Sequence, residues 1–72
     1  MKYAIIIEKG DNNFSAYVPD LPGCVATGET IEEVKTNIHD AIEFHIDGLK
    51  EDGEEIPMPY SISDYVEVAQ NL

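Results

Sequence analysis

The sequence predicts a single small α+β domain with the element order β-β-β-α-β, in which one helix packs on one face of a sheet. Short apolar segments that alternate with a period of two, typical of strands, occur before residue 28. A helix start signal at Thr30 is followed by apolar residues at helical spacing, and another strand-like segment lies near residue 65. The length of 72 residues allows one domain, spanning residues 1–72.

The N-terminal part is predicted to form three strands, at residues 2–8, 14–18 and 24–27. The first segment is apolar on both faces, which is typical of an interior strand. Turn-forming residues at 9–13 favour a chain reversal, so the second strand should run antiparallel to the first. The prolines of Pro19–Gly23 exclude a central strand there, and we expect a rigid corner.

A helix is predicted at residues 31–51. Thr30 and Glu33 have the spacing of a capping box, in which the Thr30 hydroxyl accepts the Glu33 N–H and the Glu33 carboxylate accepts the Thr30 N–H. Gly48 lies inside the helix, where glycine costs about 1 kcal/mol relative to alanine. It marks either an early helix end or a close backbone approach. The residues of the buried face fall within an arc of about 100° and are Ile31, Val34, Ile38, Ala41, Ile42, His45 and Leu49.

The C-terminal part is predicted to add a fourth strand at residues 65–69, because this segment has strand propensity and partial alternation. A right-handed crossover through the helix places strand four parallel to strand one, giving a mixed sheet of order 3-2-1-4. One helix cannot cover both sheet faces. The face with Ala4, Ile6 and Tyr17, or its opposite, should therefore be an exposed apolar surface. We expect a homodimer or higher oligomer through that face or through the edge of strand three.

The composition is strongly acidic, with 15 Asp and Glu residues against 4 Lys and no Arg, and a formal net charge of −11. Direct nucleic-acid binding by this chain is therefore not expected, and a basic protein is the favoured partner. No apolar segment approaches the roughly 20 residues of a membrane helix, and the N-terminus lacks the features of a signal peptide. Cys24 is the single cysteine, which excludes an intrachain disulfide. We expect a cytoplasmic protein without membrane contact.

The acidic residues of the predicted helix fall on one face, opposite the buried face. Like charges at i,i+4, such as Glu43 and Asp47, repel by about 0.2–0.5 kcal/mol, so helix stability does not explain this arrangement. The face is either a docking surface for a basic partner or an ordinary solvated surface. The candidate partner-binding residues are Glu32, Glu33, Asp40, Glu43, Asp47 and Glu51.

Phe44 lies outside the apolar arc, between Asn37 and Asp40 in angular terms. We expect the C-terminal segment to cover this aromatic ring. The alternative is that Phe44 anchors an interface with another protein.

Few residues have the spacing that a metal site or a catalytic site needs. His39 and Glu43 could provide two ligands, but no third ligand is evident, so no metal and no other cofactor is expected. His45 is interpreted as a hydrogen-bonded core histidine and Cys24 as a small buried hydrophobic residue. The chain lacks a Ser/His/Asp arrangement, a phosphate-binding glycine loop and an HExxH motif. We therefore predict no catalytic residue.

The enzymatic alternative is a Mg²⁺-dependent nuclease fragment. Three strands, a helix and a parallel strand resemble the first part of the ribonuclease H architecture, in which carboxylates on the central strands and the first helix hold two Mg²⁺ ions. Glu8, Glu43 and Glu67 are the candidate ligands. The chain is too short to complete such a sheet and lacks basic residues to hold a phosphate, so a non-enzymatic function is favoured.

One longer motif is similar to that of a known family. It runs from Phe14 to Cys24 as F-S-A-Y-V-P-D-L-P-G-C and continues with Gly28, Thr30 and the amphipathic helix. This combination resembles the HicB family of antitoxins, and the resemblance covers roughly residues 2 to 60, most of the chain.

The resemblance implies a partial ribonuclease-H-like domain without required catalysis. In the family, this domain binds and blocks HicA, a small basic mRNA-cleaving toxin with a double-stranded-RNA-binding fold, and assembles as dimers or higher oligomers. Many members continue into a ribbon-helix-helix or helix-turn-helix that binds the operator. Here only residues 60–72 follow, without a basic helix, so operator binding by this chain alone is not expected. A stand-alone oligomeric regulator without a toxin partner is a further alternative.

Overall fold

The computed structural model describes residues 1–70 and contains three strands followed by one helix. The elements are β1 (Ile6–Lys9), β2 (Phe14–Tyr17), β3 (Val25–Gly28) and α1 (Ile31–Glu51). The strands form an antiparallel sheet in the order β1-β2-β3. The helix packs on one face of this sheet, over β2 and β3. The structure confirms the α+β class with one helix on one sheet face.

A tight double turn forms the corner between β2 and β3. The Val18 carbonyl accepts the Leu21 N–H at 3.1 Å, and the Leu21 carbonyl accepts the Cys24 N–H at 3.0 Å. The second turn has Pro22 at its first central position and Gly23, with φ of 84°, at its second. Proline followed by a glycine with positive φ is the pattern of a type II turn. The prolines therefore determine the geometry of the corner that the sequence predicts, and the corner places the Leu21 side chain in the core.

The core lies between the helix-facing side of the sheet and α1. Leu21, which belongs to the corner, is fully buried and packs with residues from β2 and α1. Gly28 at the end of β3 lies directly beneath the helix, because a Cβ atom there would be 2.6 Å from the Val34 backbone nitrogen. The chain can therefore pass from β3 into α1 with close backbone contact. The buried core residues are Ala16, Val18, Leu21, Cys24, Val34 and Ile38.

The predicted fourth strand at 65–69, and with it the mixed sheet of order 3-2-1-4, is wrong for residues 1–70. This segment has no strand hydrogen bonds, and the side chain of Tyr65 is 97% exposed. Just before this segment, the Ser63 hydroxyl donates to the Ile5 carbonyl at 3.4 Å, which is a long side-chain contact and not a strand pairing. Strand propensity without a hydrogen-bonded neighbour does not produce a strand. The ribonuclease-H-like comparison stays a prediction.

The strand ends also differ from the predicted ranges. β1 begins at Ile6, which pairs with Tyr17, the last residue of β2. Beyond that pair the chain enters the corner, where the Val18 N–H donates to the Cys24 carbonyl at 3.2 Å. Residues 2–5 therefore lie beyond the end of β2 and have no β2 residue opposite them with which to pair. The helix has the range that the sequence predicts.

The second face of the sheet is open. Ile6, Tyr17 and Val25 form one row across the three strands, since Tyr17 is paired with both of the others. Tyr17 is 41% exposed and Val25 is 64% exposed. The predicted uncovered face thus carries Ile6 and Tyr17, together with Val25. Within residues 1–70, α1 is too polar to be a membrane-spanning helix.

Candidate protein-docking surface

The acidic face of α1 consists of the six predicted residues, and the structure leaves every one of them exposed. They are Glu32, Glu33, Asp40, Glu43, Asp47 and Glu51. In residues 1–70, the ion-pair contacts of these carboxylates are those with His39, whose Nδ1 lies 3.4 Å from Asp40 and 3.6 Å from Glu43. No lysine of the described chain pairs with them. The face therefore presents carboxylates that the fold itself does not neutralise, which is favourable for a cationic partner.

One residue of the acidic face also stabilises the start of the helix. The Glu33 N–H donates to the Thr30 hydroxyl at 3.0 Å, as predicted for the N-cap. The Glu33 carboxylate accepts the Glu29 N–H at 3.2 Å instead of the Thr30 N–H. The predicted capping box is therefore formed in one half only. Glu33 has a local structural function in addition to its negative charge.

His39, Asp40 and Glu43 form a cluster of three potential ligands, one more than the pair that the sequence indicates. One potential ligand atom from each lies within 4.8 Å of the other two, so Asp40 is a third candidate beside His39 and Glu43. The i,i+1 spacing of His39 and Asp40 gives no signal for such a group in the sequence. All three side chains are about two-thirds exposed or more, at 70%, 70% and 68%. Exposed acidic groups commonly approach each other without a metal, so the cluster alone does not identify a metal site.

Phe44 is not covered by residues 52–70, contrary to the prediction that the C-terminal segment covers it. Its side chain is 83% exposed, on the side of α1 where the acidic face ends. The C-terminal segment instead crosses near the corner and the start of β1, where Ser61 contacts Asp20 and Ser63 contacts Ile5. This path leaves the outer surface of the helix free. The alternative, in which Phe44 anchors an interface, stays a prediction.

The two remaining candidate residues are Cys24 and His45. Cys24 is buried in the core, and this burial raises the pKa of its thiol. It is the small buried hydrophobic residue that the sequence predicts. His45 is only half-buried, on the sheet-facing side of α1, so it does not lie in the fully buried core.

The carboxylates proposed for a nuclease site do not come together in residues 1–70. Glu8 shares the open sheet face with Ile6, whereas α1 and Glu43 lie on the other side of the sheet. Glu67 belongs to the exposed C-terminal segment. The alternation of side chains along β1 separates Glu8 from Glu43, so these residues cannot hold one pair of metal ions as placed.

Known proteins with similar sequences indicate the family of this chain. The family model described as a HicB_like antitoxin of bacterial toxin-antitoxin systems matches residues 3–71. A protein from the rep-hol intergenic region of Haemophilus phage HP1 is 44% identical over 66 residues, which are 92% of this chain and 50% of that protein. A UPF0150 protein of Archaeoglobus fulgidus is 39% identical over 57 residues, covering 75% of this chain and 83% of that protein.

A solved structure shows a similar fold. A chain of the HicA3 and HicB3 toxin-antitoxin complex aligns with a TM-score of 0.73 and 33% identity, over 83% of this chain and 70% of that chain. The chain spans half the length of the phage relative.

The acidic helix surface thus lies on a domain whose sequence matches one family over almost its whole length and whose fold matches that of one chain in a toxin-antitoxin complex. The chain belongs to the HicB-like antitoxin family.

Proposed function

We propose that this chain is an antitoxin that binds and neutralises a small basic mRNA-cleaving toxin of the HicA type. The acidic face of α1 covers the RNA-binding and catalytic surface of that toxin. The observation that carries the proposal is the row of exposed carboxylates that no lysine of residues 1–70 neutralises, on a chain of net charge −11. The family match and the structural similarity to a toxin-antitoxin complex support it.

The mechanism is electrostatic and steric. A toxin that binds RNA needs a cationic surface for the phosphates, and a helix with carboxylates along one face offers a comparable series of negative charges. Occupation of that surface excludes RNA without any chemical step by the antitoxin. Because the target acts on mRNA, we place the function in the cytoplasm.

The acidic face is tested by charge reversal with a matched control. The double variant Glu43→Lys and Asp47→Lys changes the net charge by the same amount as Glu54→Lys with Glu55→Lys, which lie beyond the helix. Binding to the partner of the proposal, a basic HicA-type toxin, is measured across a salt series. We expect the first pair to weaken binding and to reduce its salt dependence more than the second. Equal effects of the two pairs contradict a specific acidic docking face.

The open face of the sheet is proposed to pair with a second copy of the chain. It carries the apolar row Ile6, Tyr17 and Val25 and lies opposite the helix. An apolar surface of this kind favours self-association through a two-fold interface. Replacement of Val25 with Lys should shift the protein to the monomer in sedimentation analysis. An unchanged molar mass for the variant argues against this interface.

A further inference from the structure

Phe44 and Gly48 form a surface feature that internal packing does not explain. They are one helical turn apart, so they are neighbours on the same side of α1. The Phe44 side chain is 83% exposed, which leaves nearly its whole ring in contact with solvent. A large exposed aromatic residue on a rigid helix is the type of residue that dominates protein interfaces.

Gly48 provides the second, independent observation. The helix continues past it to Glu51, so it does not end the helix. A Cβ atom added at Gly48 would meet nothing within 4 Å among residues 1–70, so no close backbone approach in this part of the chain requires a glycine there. The absent side chain leaves open space at Gly48, one helical turn after Phe44, and we call this space the Gly48 notch. Both explanations that the sequence offers for this glycine are thus excluded by the structure.

The surroundings of this pair define the chemistry of its partner. Asp40 and Asp47 lie at i−4 and i+3 from Phe44, and Glu51 lies at i+3 from Gly48, so carboxylates border both the ring and the notch. A guanidinium group can stack on an aromatic ring and pair with a carboxylate at the same time. An arginine-bearing cationic protein surface therefore complements this site better than a neutral apolar one does.

We propose that Phe44 and the Gly48 notch are the apolar centre of the docking surface, and that an arginine of the basic partner stacks on Phe44 while a neighbouring side chain fills the notch. The acidic face supplies the charged rim of this interface. The inference rests on the proposed function, and it names the residues that determine specificity within it. A second copy of this chain is the competing occupant.

The experiment compares Phe44→Ala, Gly48→Ala and Gly48→Met with Tyr60→Ala in binding to the basic protein proposed as the partner, a HicA-type toxin. Tyr60 is an aromatic residue with nearly the same exposure, 82%, outside the helix. We expect Phe44→Ala to weaken binding by about tenfold or more, and Tyr60→Ala to leave it unchanged. Gly48→Ala should weaken binding and Gly48→Met should weaken it further, although both raise the thermal midpoint of the free protein.

The outcomes separate the inference from the proposed function. If the wild-type chain binds the basic protein and Phe44→Ala binds equally well, the inference is wrong while the proposed function stands. If the wild-type chain does not bind it, the proposed function fails. Loss of a homo-oligomer in Phe44→Ala, measured by sedimentation without the partner, assigns the site to a second copy and overturns the inference.

Discussion

The carboxylate of Asp20 accepts two hydrogen bonds from Ser61, one from its backbone N–H at 2.9 Å and one from its hydroxyl at 2.8 Å. Asp20 belongs to the corner between β2 and β3, and Ser61 belongs to the C-terminal segment. A second hydrogen bond reaches the same segment, in which the Tyr3 hydroxyl donates to the Pro57 carbonyl. These contacts hold the segment after α1 against the corner and the N-terminal residues.

Loss of the Asp20 carboxylate should release this segment. For Asp20→Ala we expect the free energy of unfolding to fall by about 1–3 kcal/mol, because two hydrogen bonds to a charged group are lost. Limited proteolysis should then cleave near residues 57–63, and urea denaturation gives the magnitude. Asp11→Ala, which removes an exposed turn carboxylate, is the control. Equal protease resistance of both variants contradicts an anchoring function for Asp20.

Two glycines should respond to alanine in opposite directions. Gly28→Ala places a Cβ 2.6 Å from the Val34 nitrogen, and backbone must move to accept it, so we expect a loss of roughly 1–3 kcal/mol or more. Gly48→Ala adds a methyl group in open space within a helix and should stabilise the protein by up to about 1 kcal/mol. Thermal denaturation of both variants measures this contrast. A stabilised Gly28→Ala protein would show that β3 and α1 are farther apart than described.

The N-cap should contribute measurably to the helix. Thr30→Ala removes the acceptor for the Glu33 N–H, and we expect a loss of about 1 kcal/mol in the free energy of unfolding. Thr36→Ala is the matched control, since its hydroxyl is exposed and donates to the Glu32 carbonyl within the helix. Alanine has the higher helix propensity, so this control should be neutral or slightly stabilising. Chemical denaturation that ranks the two variants alike contradicts the capping function.

The buried thiol of Cys24 predicts a loss of stability at alkaline pH. Burial raises its pKa above the ordinary value of 9.0, so in that range the unfolded chain loses the thiol proton while the folded chain keeps it. The unfolded state then binds fewer protons, and the free energy of unfolding falls as the pH rises above about 9. Urea denaturation at several pH values should show a steeper decline for the wild type than for Cys24→Ala. Identical slopes contradict burial of the thiol.

Local signals in the sequence predict the helix and the corner well. Thr30 and the apolar period locate α1, and Pro22 with Gly23 determines a turn that needs no distant contact. The C-terminal segment is different, because its path depends on Asp20, a residue 41 positions before Ser61. Neither residue alone signals that contact. Strand propensity at 65–69 is therefore misleading, because the segment forms no strand hydrogen bonds although β1, its predicted neighbour, lies at the edge of the sheet.

The proposed docking surface is predictable in part. Helical spacing alone brings the six carboxylates to one side, and their exposure agrees with that interpretation. The exposure of Phe44 could not be derived in the same way, because it depends on where the C-terminal segment lies. The grouping of His39 with Asp40 and Glu43 depends on side-chain rotamers, which periodicity does not specify.

The order of the strands has a consequence for how this domain reaches its native state. Each strand pairs with its neighbour along the chain, so the sheet can assemble by successive hairpins that close only short loops. The contacts from Tyr3 to Pro57 and from Asp20 to Ser61 close much longer loops. We expect these two to form last during refolding and to open first in native-state hydrogen exchange, before the amides of β2 and α1.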